Sequence, residues 1–452
     1  MLIRFNVKNF MSFKEEVEFS CLPGKATRLG YHKIEKEGIE VLKLGAIYGA
    51  NASGKSNLIK SIQVLKTLIL EGELNDLLEG KKFKLSDKNL REPIEFSIEF
   101  MANSLLFYYE IAVDSNIVNY EYFQCQKENK EVFSFTRKLI DNRIKIIFSG
   151  NDVSMQNNLT LIDVIEKNLL QPQQLLLTFL SKLKENDFSM FVETAINWID
   201  LGLVIIFPFT KTNMLVQKLD ENSDLKHFTD NLIKTLSSGI IKTRIEKINI
   251  QEIDSSLFSP EYQKDFDTLS KDPDKIIRRP LENSSDEIIL KNEGGVVYEK
   301  RLLFESQNDE GKDVSFKFNE QSDGTKRLIE YIPAWYSLQK FESTFIIDEI
   351  ERSIHPLLIR ELISKFSFSE DSKGQLIFST HETLLLDQDF FRTDEIWLTE
   401  KDISGVSRIY SLAEFKEHNT IDIRKGYLNG RYGGVPFLGD LDSFNWRLLD
   451  ES

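Results

Sequence analysis

Four short motifs hold the residue types that could do chemistry. Gly49-Ala50-Asn51-Ala52-Ser53-Gly54-Lys55-Ser56 spells a complete GxxxxGK[ST] loop with Asn57 following, and its glycines let backbone N–H groups curl around a phosphate. Lys55 would reach the β- and γ-phosphates of a nucleotide, and Ser56 would ligate Mg2+. Asp348 and Glu349 close the apolar run Thr344-Phe345-Ile346-Ile347. Asp348 would support the metal, and Glu349 beside it would accept a proton from attacking water. His381 ends a second apolar run, Leu376 to Thr380, where an imidazole could hydrogen-bond a γ-phosphate and report its presence. Ser322-Asp323-Gly324-Thr325-Lys326 precedes the helical stretch RLIEYIPAWYSLQ, and a small polar turn at a helix start is a second anion site. Two such starts are redundant within one site. In a head-to-tail dimer each could close the other's nucleotide.

Plainer readings stand beside these: a chance glycine turn, surface acids, a polar strand cap, an ordinary N-cap. The order of the motifs along one chain favours the chemical reading over each of them.

The elements that must position these residues are readable from periodicity. Ile3, Phe5 and Val7 alternate with Arg4, Asn6 and Lys8, the period-two pattern of a half-buried strand. Residues 41–48, VLKLGAIY, predict a strand buried on both faces that runs into the phosphate loop. Leu58, Ile59, Ile62, Leu65 and Ile69 predict a helix from Lys55 to about Leu70. Residues 93–149 alternate and are aromatic-rich, predicting an antiparallel sheet in which Gln124 and Gln126 lie on one strand. Helical spacing takes over from about 156 to 237, interrupted by Pro172 and the strand-like LVIIFPF. IIKTRIEKINI and VVYEKRLLFES then read as strands separated by a polar loop. The expected division is an N-terminal lobe 1–155, a helical insertion 156–237 and a C-terminal lobe 238–452.

Composition narrows the class. A chain of 452 residues, 41% hydrophobic and 29% charged, suits a globular protein. No apolar run approaches the ~18 residues of a membrane span, and the first residues lack a secretory pattern, so a cytoplasmic location away from membranes is expected. Cys21 and Cys125 are too few and too far apart for a zinc ribbon or a disulfide framework. A net charge of −15 disfavours a surface that tracks a phosphate backbone. The basic runs Lys242-Thr243-Arg244 and Lys275 to Arg279 are short enough to be solvated faces. His355 precedes Pro356 without a metal-ligand companion and reads as a helix cap or as part of a dimer-facing loop after Glu349, and Asp440-Leu441-Asp442 as a tail turn.

The order GANASGKS, SDGTK, FIIDEIE, STH resembles the ATP-binding-cassette heads of SMC-like and RecF-like ATPases, with SDGTK at the signature position. The opening LIRFNVKNFMSFKEE is similar to the first strand of those heads. DEIERSIHP, STHETLLLD, DEIWLTEK and YLNGRYGGVPFL resemble more narrowly a prokaryotic AAA-type family close to overcoming-lysogenization-defect and abortive-infection ATPases. The resemblance covers roughly 1 to 125 and 238 to 438. It implies an α/β fold, a P-loop NTPase of ABC-ATPase head type, with a mixed β core, an antiparallel β subdomain and a helical insertion.

It also implies ATP and Mg2+ as ligands and a homodimer or higher homo-oligomer with sites completed in trans. Lys55 and Ser56 would bind phosphate and metal, Asp348 would support Mg2+, Glu349 would be the base and His381 the switch. Ser322, Asp323 and Gly324 would meet the opposite nucleotide. The family often acts as sensor and scaffold in anti-phage defence beside a separate nuclease or toxin effector. A RecF-like DNA-binding ATPase of repair or maintenance is the alternative, with weak nucleic-acid binding expected from the charge, and a ring-forming AAA+ motor is the third reading. The Mg2+-sensing glutamine of such heads has no clear match, and an insertion of about 80 residues is far too short for an SMC arm. Arg431-Tyr432-Gly433-Gly434 resembles the family's closing motif and reads first as a packing turn, with contact to nucleotide or partner as the second reading.

Overall fold

The computed structural model describes residues 1–74, 76–150, 162–183, 188–211, 215–236, 239–252, 259–272, 274–280, 287–415 and 422–435. Asp440-Leu441-Asp442 lies outside them. The chain forms two compact units. The first comprises Met1–Pro208, Lys340–Ile350 and Ile363–Ser452, the second Phe209–Gln339 and Glu351–Leu362.

The first unit is built on a six-stranded sheet in the order Leu203–Ile206, Thr344–Ile347, Gln375–Ser379, Leu44–Gly49, Ile396–Lys401, Ser407–Ser411. All neighbours are parallel except the last pair. Leu44–Gly49, Thr344–Ile347 and Gln375–Ser379 are buried at every position, which is why they read as unbroken apolar runs. The strand expected over 41–48 is split at Lys43. Ile39–Leu42 pairs with Lys33–Lys36 as a hairpin, and the sheet strand starts at Leu44. The break has a polar cause. Lys43 donates its N–H to the His32 carbonyl, and its buried ammonium donates to the Ser369 carbonyl at 3.0 Å.

A seven-stranded antiparallel sheet accompanies this core, ordered Arg143–Ser149, Lys130–Ile140, Ile117–Lys127, Leu105–Asp114, Ile94–Ala102, Leu2–Lys8, Val17–Ser20. Its inward face is rich in phenylalanine, with Phe5, Phe96, Phe100, Phe107, Phe123 and Phe135 in one continuous core. The helix Lys55–Glu71 joins that core through Leu58, Ile59, Ile62, Leu65, Leu68 and Ile69, and it stops where Gly72 turns left-handed. The helices Leu176–Ser181 and Ser189–Asn197 pack on the same aromatic face. Trp198 stacks on Phe100 at 4.2 Å and Phe188 on Phe133 at 5.2 Å. LVIIFPF is therefore more than an interruption of a helical region: its strand Leu203–Ile206 is the edge of the parallel sheet.

In the second unit the strands run Lys242–Asn249, Val296–Gln307, Glu287–Glu293, Ile276–Pro280, with Asp313–Lys317 also paired to Val296–Gln307. The helix Ser223–Thr235 and residues 323–339 of the helix Asp323–Lys340 contribute Leu225, Ile233, Ile329 and Ile332 to a core with Ile289, Leu302 and Phe304. Pro333 sits inside that second helix. Residues 162–208 of the helical segment belong to the first unit and 209–236 to the second. Both cysteines are free and buried, and burial pushes the Cys125 thiol up to about 12. No helix among the described residues is long and apolar enough to cross a membrane.

Candidate functional site

The phosphate loop leaves the C-terminal end of Leu44–Gly49, between the ends of two other sheet strands. Its shape depends on what glycine omits. Gly49 has φ +156°, and a Cβ there would lie 2.2 Å from Thr399 Oγ1, while Gly54 has φ +125° and a Cβ would lie 2.8 Å from Ser407 Oγ. Neighbouring hydroxyls brace the loop. Ser53 Oγ and Thr399 Oγ1 are 2.5 Å apart, and Thr399 Oγ1 donates to the Tyr48 carbonyl at 3.1 Å. Asn57 donates to Ser12 Oγ at 2.7 Å, and Ser407 N–H donates to the Ser12 carbonyl at 2.8 Å. Ala50, Asn51 and Ala52 form the outer bend, with Ala52 left-handed at φ +61°.

Lys55 is 5% exposed, and its ammonium donates to the carbonyls of Gly49 at 2.8 Å and Ala50 at 3.0 Å. This holds a cation at the mouth of a helix N-terminus, where an anion is favoured. Ser56 Oγ donates to Asp348 Oδ1 at 3.2 Å, joining motifs 292 positions apart. Asp348 is buried, Glu349 half-buried with φ +52°, and Ser379 Oγ donates to the same Asp348 oxygen at 2.5 Å. The donor set is all oxygen. A hard cation such as Mg2+ fits it, held by one hydroxyl and one carboxylate together with substrate phosphates. Among the described residues no group of three or more His, Cys, Asp or Glu could form an all-protein metal cage.

His381 is exposed just beyond Gln375–Ser379, and the preceding Thr380 N–H donates to the Ile47 carbonyl at 3.0 Å. The sheet thus brings Lys55, Ser56, Asp348, Glu349 and His381 to one edge of the first unit. Thr399, Ser407 and Ser12 had no assigned part in the sequence motifs. Thr399 is the last buried position of Ile396–Lys401, and the hydroxyl that follows the apolar residues Ile396, Trp397 and Leu398 is the only sequence signal for it.

The second unit carries the SDGTK turn. Ser322 Oγ accepts the Thr325 N–H at 3.2 Å, and the Ser322 carbonyl accepts the Lys326 N–H at 2.9 Å, so Ser322 caps the helix. Gly324 is closely approached: a Cβ there would lie 2.6 Å from the Ser353 carbonyl oxygen. Ser322 and Asp323 are exposed. One turn further on, Arg327 is buried, donates to the Thr210 carbonyl at 3.0 Å and pairs with Glu330 at 3.1 Å. Burial raises the Glu330 carboxyl and pushes the Tyr331 phenol up to about 12. His355 caps the helix Pro356–Phe368 by accepting the Leu357 N–H on Nδ1 at 3.3 Å.

The Arg431–Gly434 turn packs behind the phosphate loop. Tyr410 Oη donates to the Tyr432 carbonyl and Tyr427 Oη to the Gly434 carbonyl, and a Cβ on Gly434 would lie 3.8 Å from Gly49 Cα. Burial raises the Tyr410 and Tyr427 phenols, and Glu400 adds to the effect on Tyr410. Gln124 and Gln126 are tied into their sheet: Gln126 donates to Gln124 at 3.0 Å, and Gln124 to Glu131 at 2.7 Å. Four residues of the basic runs have carboxylate partners. Lys242 pairs with Glu305 and Asp313, Arg244 with Glu305, Arg278 with Glu287 and Arg279 with Asp265.

No curated protein matches the chain. Solved structures with similar folds include an SMC head domain from Thermotoga maritima, 13% identical, covering 91% of this chain and 98% of that chain at a TM-score of 0.36. An SMC head bound to the C-terminal winged-helix domain of ScpA is 14% identical, with 91% and 97% covered and a TM-score of 0.40. An SMC head with an extended coiled coil, bound to the C-terminal domain of ScpA derived from Pyrococcus furiosus, is 11% identical, with 95% and 98% covered and a TM-score of 0.36. A family model described as "AAA domain, putative AbiEii toxin, Type IV TA system" matches residues 45–387, about three-quarters of the chain. That span holds the phosphate loop, the acidic pair and the strand-end histidine, and the chain belongs to this family of P-loop ATPases.

Proposed function

We propose that the protein binds ATP with Mg2+ and hydrolyses it as a conformational switch. The observation that carries this reading is the 3.2 Å contact between Ser56 and Asp348 at the edge of a parallel sheet. Binding falls to the loop Gly49–Ser56, Asn57 at its helix start, and the Lys55 ammonium, which would exchange its two loop carbonyls for phosphate oxygens. Ser56 and Asp348 would hold Mg2+, which when bound draws charge from the β- and γ-phosphate oxygens. Glu349 orients water and takes its proton, and His381 contacts the γ-phosphate.

Dimerisation through the heads belongs to the same proposal, with Ser322, Asp323 and Gly324 closing the nucleotide of a second copy. The exposure of Ser322 and Asp323 supports it. Two nucleotides would then supply contacts present only in the closed dimer, so ATP favours closure and hydrolysis releases it. We further propose that the closed state is read by a separate effector, a nuclease or toxin, in anti-phage defence. The pairing of Lys242, Arg244, Arg278 and Arg279 with carboxylates supports a protein partner over a nucleic-acid one.

The test is Glu349→Gln. It is expected to bind ATP, accumulate as a dimer in light scattering and lose at least about 100-fold in kcat. Turnover at the normal rate by this variant sinks the assignment.

A further inference from the structure

Ser379 converges on the acidic turn by three separate contacts. It is fully buried at the end of its strand. Its hydroxyl donates to Asp348 Oδ1 at 2.5 Å and accepts the Glu349 N–H at 2.9 Å, and its carbonyl accepts the Ile350 N–H at 3.2 Å. A serine hydroxyl has one proton and two lone pairs. Here the proton orients a carboxylate while a lone pair grips the next residue's amide. That amide belongs to Glu349, whose φ of +52° is rarely adopted by a side-chain-bearing residue unless its surroundings over-determine it.

The arrangement also links two motifs. Asp348 Oδ1 receives the Ser56 hydroxyl from the phosphate-loop helix as well as that of Ser379. Two residues beyond Ser379 on the same strand end stands His381. A displacement of His381 therefore reaches Glu349 through two residues of backbone and one hydroxyl.

We propose that Ser379 is a positioning residue for hydrolysis: it fixes the Asp348 carboxylate, holds Glu349 in its left-handed turn and couples both to the strand that carries His381. The proposal rests on the ATPase reading of the site. Its mechanism is the orientation of a ligand by a hydrogen-bonded neighbour, whose removal typically costs 10- to 100-fold.

The experiment uses the full chain with Ser379→Ala, Ser379→Cys and Ser379→Thr beside Glu349→Gln. Cysteine keeps an atom, larger than oxygen, at the place of the hydroxyl but donates and accepts weakly, so it separates a lost hydrogen bond from an emptied site. Alanine and cysteine variants are expected to lose about 10- to 100-fold in kcat, with ATP affinity measured in EDTA within about two-fold of normal. Hydrogen exchange of the nucleotide-free protein should show the Glu349 amide losing protection in both. Threonine, which restores the hydroxyl, should keep kcat within about three-fold and the amide protected. Normal turnover by Ser379→Ala overturns the proposal, as does a slow alanine variant whose Glu349 amide stays protected, or a threonine variant as slow as alanine. Normal turnover by Glu349→Gln defeats the ATPase reading of the site itself. An inert Glu349→Gln beside a normal Ser379→Ala defeats only the role of Ser379.

Discussion

Thr399 is the residue through which the sheet shapes the phosphate loop. Its hydroxyl meets Ser53 Oγ, donates to the Tyr48 carbonyl and occupies the space that a side chain on Gly49 would need. Thr399→Val keeps the volume and strands buried polar partners, a loss of about 1–3 kcal/mol. If the loop bears that loss, the ATP KM rises by roughly 10-fold while thermal unfolding of the whole protein moves little, a split that steady-state kinetics and a melting curve resolve together. Lys55 and Ser56 stand in a loop of fixed spacing, and Asp348 and Glu349 are singled out by following that loop at the end of an apolar run. Thr399 and Ser407 are not singled out in this way, because they act across a strand pairing that no local pattern encodes. Ser379 stood within the STH motif, but its contacts depend on the same sheet.

At the scale of elements, a buried carboxylate fastens helix to sheet. Glu121, on the strand Ile117–Lys127, accepts the N–H groups of Leu176 at 2.7 Å and Leu177 at 2.9 Å at the start of the helix Leu176–Ser181, and also the Tyr109 hydroxyl. Burial raises its carboxyl, opposed first by the Arg137 guanidinium and then by those two amides. Arg137 in turn donates to the carbonyls of Val118 at 2.6 Å and Pro172 at 3.0 Å. Glu121→Ala leaves two helix-start amides and the buried Tyr109 hydroxyl without their acceptor, so chemical denaturation should register a loss of about 1–3 kcal/mol. Periodicity revealed the alternating strands over 93–149, since one face of each is apolar, and the inward positions are the buried ones. It could not reveal that Glu121 occupies one of those inward positions, nor that Leu203–Ile206 joins a sheet whose next strand begins at Thr344. The split at Lys43 was equally hidden, because its ammonium answers a helix end more than 300 residues away.

For the molecule as a whole, the charge is −15, and Lys242, Arg244, Arg278 and Arg279 of the basic runs have carboxylate partners. A fluorescent DNA duplex titrated with the protein near 150 mM salt should therefore bind no tighter than about 10 µM, the range of nonspecific contacts. Sub-micromolar binding that falls steeply with salt would instead favour DNA as a ligand of this ATPase. The class of fold was apparent from the order of motifs, whereas the division into units was not. Contacts, rather than composition, place residues 162–208 in one unit and 209–236 in the other.

The strand that bears the phosphate loop is flanked by Gln375–Ser379 on one side and Ile396–Lys401 on the other. During synthesis, then, both partners of Leu44–Gly49 emerge from the ribosome about 330 to 350 residues after it. At translation rates of about 5–20 residues per second the loop waits roughly 20 to 70 seconds for its neighbours. A nascent chain therefore lacks one wall of the phosphate-loop strand until Ile396–Lys401 has been made. A chain stopped at residue 390 should accordingly fail to retain ATP in equilibrium dialysis, although it contains the complete phosphate loop, the acidic pair and His381.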